Sequence, residues 1–242
     1  SITPAVATGI AFILNAAWWF LITIPLLKSY KQIHFVEVEQ DALKSAFIRL
    51  GNVFKDIKKQ KPIFIFLLAF FFYIDGVYTI IEMATSYGKD VGISDNNLLM
   101  ALLLTQVVAF PFALLFGRFS KKYKTKDLIS FCILGYFLIA LFALQLDKAW
   151  EFWFLAVCVA MFQGAIQALS RSYFAKIIPK EKSSEYFGFY DIFGKGASFT
   201  GTMLMGITTQ VSGSSKTGVA FISLMFVIGY LIFNRASKII KN

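Results

Sequence analysis

Long apolar stretches separated by short basic ones run the whole length of this chain. Seven stand out, at about 5–27, 62–85, 98–117, 127–146, 150–170, 186–209 and 217–234, each near the roughly 20 residues a helix needs to cross hydrocarbon. Ile63 to Ile74 is apolar without a break. A barrel strand would alternate, and a backbone in lipid must satisfy its hydrogen bonds within its own segment. The predicted fold is therefore all-α, a polytopic membrane helix bundle of seven transmembrane helices. The longest interruption is 28–61. There Leu43, Ala46, Phe47, Leu50, Phe54 and Ile57 recur on one helical face, with Lys44, Arg49, Lys55, Lys58 and Lys59 largely off it. That pattern predicts a basic amphipathic helix on a membrane surface, with a solvated linker as the competing reading. The spans thus fall into a 1 + 6 arrangement: one in 1–27, the connector 28–61, and six in 62–242.

Composition removes the soluble alternatives. Apolar residues make up 57% of the chain and charged ones 16%, with mean hydropathy +0.66, against about 45–50% apolar in soluble domains. The net charge of +10 is no nucleic-acid footprint, because the Lys and Arg residues sit between apolar segments. Eight lie in 28–61, five in 118–126, four in 171–184 and three in 235–242, while the alternate loops hold only Lys89, Lys148 and Lys216. The positive-inside rule then predicts that those four basic stretches, the C-terminus included, are cytoplasmic. In a bacterium the plasma (inner) membrane is the expected location. An odd number of spans, a far-side start and no initiator Met lead to the expectation of a fragment. Cys132 and Cys158 lie in apolar runs without a Cys-x-x-Cys, and His34 is the single histidine, so no metal centre, disulfide framework or cofactor is expected. Walker A, nucleophile-elbow, His-Glu-x-x-His and dinucleotide signatures are absent, and no enzymatic activity is expected.

A charge at mid-membrane costs about 2.5–3.5 kcal/mol on insertion scales, so ionisable residues inside the spans are the first functional candidates. In the second span Asp75 and Glu82 are nearly two turns apart on one stripe, with Tyr78 and Thr79 close to it. Such a ribbon should face a water-filled cavity, where either carboxylate could carry protons. The alternatives are a helix-capping or interhelical role for Asp75 and an interfacial one for Glu82. In the sixth span Asp191 and Lys195, at i and i+4, could form an ion pair, either structural or part of a substrate site. Around them Gly188, Gly194, Gly196, Gly201 and Gly206 allow close helix approach. Gln163 and Gln167 share a face in the fifth span, and Gln106 precedes Pro111, which predicts a kink in the third.

The order of these features resembles the C-terminal half of a major facilitator superfamily transporter, from its sixth helix through the central loop to its twelfth. It is most similar to the vacuole-effluxer-like, autophagy-related permease branch, through Tyr73-Ile74-Asp75-Gly76-Val77-Tyr78-Thr79-Ile80, Gln163 to Ser172, and Glu185 to Tyr190 followed by Phe193-Gly194-Lys195. The loop Gly117 to Lys126 departs from the superfamily's gating motif, with Lys121 where an acid is usual, and reads as a topology-setting basic loop. The resemblance implies that 1–27 is the last helix of an N-terminal half, that 28–61 is the central loop and that 62–242 is the second bundle. It implies a secondary carrier working by alternating access with that N-terminal half, in which a small solute is bound near the bilayer midplane. Amino acids are the substrate class of the eukaryotic branch. A zwitterion could place its carboxylate at Lys195 and its ammonium at Asp75, with proton coupling through Asp75 or Glu82. A non-transporting scaffold or lipid-interacting membrane protein is the alternative, and a lipid-directed enzyme a further class that His34 alone does not support.

Overall fold

A computed structural model describes residues 3–31 and 42–239, and within these the chain is helical with no strand. His34 lies outside the described residues, and the side chains of the amphipathic face are described from Phe47 onward. The chain divides into two compact units, one ending at Ala46 and one beginning at Phe47. The first contains α1 (Pro4–Ser29), which carries a proline in its first turn, where a missing amide costs nothing. Helix α2 (Ala42–Lys59) crosses the boundary. The second unit holds α3 (Lys61–Asp90), α4 (Asp95–Lys122), α5 (Thr125–Ala143), α6 (Ala149–Ile177), α7 (Ser183–Ser212) and α8 (Ser215–Ile239), with a short 3-10 turn at Lys180–Lys182.

Six helices are long and apolar enough to cross a membrane: α1, α3, α4, α5, α6 and α8. The remaining expected span, 186–209, is present as α7 at 30 residues but falls short in hydropathy. Its low average conceals three sectors, which follow from about 100° of rotation per residue. Ile192, Phe199, Met203, Ile207 and Val211 form an exposed apolar stripe. Gly194, Ala197, Gly201 and Met205 are buried. Asp191, Lys195, Ser198 and Thr202 occupy the remaining sector.

Local signals set the helix ends. Glu151 accepts hydrogen bonds from the backbone amides of Asp147 and Lys148 at 2.9 and 3.2 Å, which caps α6. Gly213, at φ 69°, ends α7 in the left-handed conformation that glycine adopts without a Cβ penalty. Helix α4 begins with Asp95 and ends with Lys121 and Lys122, matching its dipole at both ends, and it runs through Pro111 as one helix.

Helix α3 is the packing centre of the second unit, meeting α8 and α7 along much of its length. An aromatic ladder surrounds its first half: Phe66 lies 5.7 Å from Phe174, and Phe70 stacks on Tyr190 at 4.1 Å. Buried Tyr73 and Ser170 share a hydrogen bond of 2.7 Å between α3 and α6. On the other side a Cβ at Gly229 of α8 would lie 2.8 Å from the Tyr73 backbone nitrogen, so only glycine permits this approach. Gly229→Val should therefore destabilise the bundle by about 1–3 kcal/mol, the usual cost of overpacking. Denaturation of the purified full-length protein measures this, and unchanged stability would contradict the close approach.

The second half of α2 belongs with the bundle. Val53 and Ile57 are buried, Phe54 stacks on Phe189 of α7 at 6.0 Å, and Phe47 stays 74% exposed. The buried edge is thus centred on Val53 and Ile57, rotated from the face that sequence periodicity singled out. Gln60 Nε2 donates to Tyr186 Oη at 2.7 Å, and Lys182 Nζ donates to Asp56 Oδ2 at 2.8 Å. That hydrogen bond, then the Lys182 charge, holds the Asp56 carboxyl below its usual range, and the same bond raises the Lys182 ammonium. A depressed acid stabilises above its unfolded value and ceases to as pH falls through its folded one. The pair is therefore intact at neutral pH, weakens only below about pH 4, the usual aspartate value, and is lost again where Lys182 deprotonates. Hydrogen exchange along α2 should show added opening below pH 4 in the native protein. Asp56→Asn should show that opening already at pH 7.

Candidate solute-binding cavity

Helices α3 and α7 both start at the basic end of the bundle and flank an open, charge-lined cavity of ≈ 260 Å³. Tyr78 and Glu82 of α3 and Asp191, Lys195 and Ser198 of α7 line it, with Phe70 and Tyr190 as its aromatic wall. Ser198 Oγ donates to Glu82 Oε1 at 2.6 Å and so orients that carboxylate. Asp191 turns towards α6, where Arg171 Nη1 approaches its Oδ1 at 3.5 Å. The guanidinium also lies 4.8 Å from the Phe187 ring centroid, a cation–π geometry that delivers it to the site.

The expected Asp191–Lys195 ion pair is not formed. Both residues share a sector of α7, but Arg171, held on Phe187, takes Asp191 instead. Among the described residues Lys195 makes no ion pair or hydrogen bond. The cavity therefore presents a cationic and two anionic side chains whose opposite charges do not neutralise each other across it.

The Asp75–Glu82 stripe divides. Asp75 is 1% exposed and lines neither of the cavities described here, while Glu82 opens into the polar one. The reason is Gly201: a Cβ there would overlap Asp75 Oδ1 and Thr79 Oγ1 and lie 2.9 Å from Asp75 Cγ. Without that side chain α7 closes directly over the carboxyl, and neither Asp75 Oδ1 nor Thr79 Oγ1 has a side-chain hydrogen-bond partner among the described residues. Thr79, Gln106 and Gln163 line a second, mostly apolar cavity on another side of α3. Gln167 is half-buried on α6 and lines neither. Of the candidates, the structure thus gathers Tyr78, Glu82, Asp191 and Lys195 into one site, places Gln106 and Gln163 in another, and leaves Asp75 and Gln167 outside both. Sequence reasoning missed Arg171 and Ser198 as parts of the site. Ser198 was within reach, since it lies seven residues from Asp191 on the same sector, whereas Arg171 gave only a topological signal.

A bundle of membrane-length helices defines a polytopic, all-helical membrane protein. Residues 3–237 match the family described as vacuole effluxer Atg22-like, and the chain belongs to that family. It is 44% identical over 231 residues to an uncharacterised MFS-type transporter, YxiO, of Bacillus subtilis, covering 96% of this chain and 54% of that protein. It is 24% identical over 261 residues to autophagy-related protein 22 of Saccharomyces cerevisiae, covering 93% of this chain and 49% of that protein. A third relative, autophagy-related protein 22 of Cryptococcus neoformans, is 24% identical over 246 residues, covering 93% of this chain and 45% of that protein. The chain spans about half the length of these relatives.

The split of the stripe is open to chemical test. In full-length protein freed of native cysteines, Ser198→Cys should react with a water-soluble thiol reagent at least about tenfold faster than Asp75→Cys, because only exposed thiols ionise and react freely. Equal rates would show that the polar cavity is not open to water, or that Asp75 is.

Proposed function

We propose that this chain is the C-terminal half of an alternating-access carrier for a small zwitterionic solute, with amino acids as the substrate class. Its first helix is then the last span of the N-terminal half, 28–61 is the connecting loop, and the six bundle helices complete the second half. The names of the relatives support a transporter rather than an enzyme. The observation that carries the substrate class is the separation of charge around the polar cavity, where Lys195 is unpaired among the described residues while Glu82 and Asp191 are held by Ser198 and Arg171. Opposite charges kept apart match a solute carrying both signs, and each interaction gains strength once water is displaced. Lys195 would meet the carboxylate, and Glu82, with Asp191 beside it, the ammonium group. This moves the ammonium partner from Asp75 to the residues that line the cavity.

Asp75 is then the proton-coupling candidate, with Glu82 as the alternative. Its carboxyl has no cationic partner among the described residues and is closed off by Gly201. Proton exchange there would require α3 and α7 to part within this half, so a local opening between them during the transport cycle is what would tie solute movement to proton movement. The basic stretches at one end of the bundle favour a cytoplasmic placement for that end and for the C-terminus, with the inner membrane as the location if the source is bacterial.

Proteoliposomes containing the full-length carrier test this reading. Uptake of radiolabelled neutral amino acids should fall at least about tenfold in Lys195→Gln, corresponding to loss of a charge-assisted contact. Asp75→Asn should abolish acceleration by an imposed pH gradient while leaving solute exchange and folding intact. Transport by Lys195→Gln at the native rate would remove the carboxylate site. A gradient response persisting in Asp75→Asn would move coupling to Glu82 or elsewhere.

A further inference from the structure

One face of α2 is left over from its packing on the bundle. Val53 and Ile57 are buried, and at about 100° per residue the next sector round the helix holds Leu50, Phe54 and Phe47, all exposed. Beyond them come Lys58, Lys55 and Lys59, exposed as well, with Ile48 among them. Asp56 and Gln60 lie on the other flank of the buried edge, where they meet Lys182 and Tyr186. The apolar face that periodicity draws as one stripe is thus two in the structure. One edge serves the bundle, and the other is a largely uncovered apolar stripe with a basic border. Among the described residues none of the three lysines makes an ion pair or a hydrogen bond.

The helix stands where a span enters hydrocarbon. Only Gln60, outside helical geometry at φ −86° and ψ 76°, separates its end from α3, whose unbroken apolar run begins at Ile63. Phe54 rests on Phe189, about one turn before Ile192 opens the exposed apolar stripe of α7. The stripe of α2 therefore leads towards a surface of membrane character. At the basic end of the bundle Tyr123 is also exposed, with Lys122 Nζ 5.6 Å from its ring centroid, the aromatic and basic pairing found at headgroup level.

The two sectors together select the occupant. An apolar protein surface would cover Phe47, Leu50 and Phe54 and leave three charges beside it uncompensated. An acidic surface in water would meet the lysines and leave the stripe wet. An anionic bilayer serves both, with acyl chains under the stripe and phosphates at the ammonium groups, which long side chains carry outward while their stems lie on apolar surface. We infer that α2, from Phe47 to Lys59, is a binding surface for anionic phospholipid, held between the bundle on one edge and the bilayer on the next. This does not rest on the transport reading, because Glu82, Asp191 and Lys195 take no part in it.

Spin labelling of the full-length protein, freed of native cysteines, tests it in phosphatidylcholine vesicles with and without phosphatidylglycerol. Nitroxides are placed at Phe47→Cys, on the stripe, and at Asn52→Cys, exposed on the side away from it, and their collisions with oxygen and with an aqueous nickel chelate are compared. In the anionic vesicles the oxygen-to-nickel ratio should be at least about fivefold higher at position 47 than at position 52. It should fall at least about threefold at position 47 without phosphatidylglycerol, and likewise when Lys55→Gln, Lys58→Gln and Lys59→Gln are combined. Where the lysine variant fails to yield a monodisperse protein, the two vesicle compositions decide. A label at position 47 shielded from both reagents would show a protein partner in place of lipid, and one open to nickel in both vesicles would show a solvated helix. A ratio unchanged by lipid charge would show apolar contact without recognition of anionic headgroups, and each of these three results overturns the assignment.

Discussion

Polar groups inside an apolar bundle must be paired, hidden against a neighbour or turned towards a cavity, and helix α7 does all three on one turn pattern. Its exposed stripe from Ile192 to Val211 suits acyl chains, its glycines and Ala197 suit the bundle, and its remaining sector carries Asp191, Lys195 and Ser198. A helix so divided is too polar on average to pass as a span, yet no sector is out of place. Gly201 is the pivotal residue, because the absence of its side chain brings α7 against Asp75 and Thr79. Any larger residue would push α7 away from the buried carboxyl.

Helix α3 faces that surface with the most tightly packed segment of the bundle. Aromatic contacts along Phe66, Phe70 and Tyr73, the Tyr73–Ser170 hydrogen bond and the approach of Gly229 hold it between α6, α7 and α8. A scaffold gripped in this way presents Tyr78 and Glu82 to one cavity and Thr79 to another from adjacent turns. At the basic end α2 and the residue after it hold the start of α7, through Phe54 on Phe189, Gln60 on Tyr186 and Asp56 on Lys182 in the turn just before α7. The connector is thereby joined to the helix that bears the cavity's charges, which gives a physical route for movement at one to be felt at the other.

The two cavities differ in the chemistry of their walls. Around the polar one, Arg171 and Ser198 engage the acids and leave Lys195 unengaged among the described residues, so the charges stay distinct and accessible. Around the apolar one, no charged side chain lines the wall. Thr79 lies one turn from Asp75, and its hydroxyl is sealed with that carboxyl against Gly201. A carboxyl placed between sites of such different character is sensitive to how closely α3 and α7 approach, and this is the structural basis of the coupling role proposed for it.

Much of this was legible in the chain itself. Unbroken apolar stretches of membrane length dictated helices, because lipid offers no partner for a free backbone group, and basic clusters at alternate ends marked which ends belong together. Helical spacing also placed Asp191, Lys195 and, with closer reading, Ser198 on one sector. Tertiary structure alone decided which neighbour each polar group meets. Periodicity could align Asp75 with Glu82 but carries no information about Gly201 on another helix, and i, i+4 spacing could suggest an Asp191–Lys195 pair but not that Arg171, seated on Phe187, would compete for Asp191. Both outcomes depend on distances between helices that are remote in sequence, set by the packing of glycines against aromatic and polar side chains, whereas the sequence pattern constrains only what lies along a single helix.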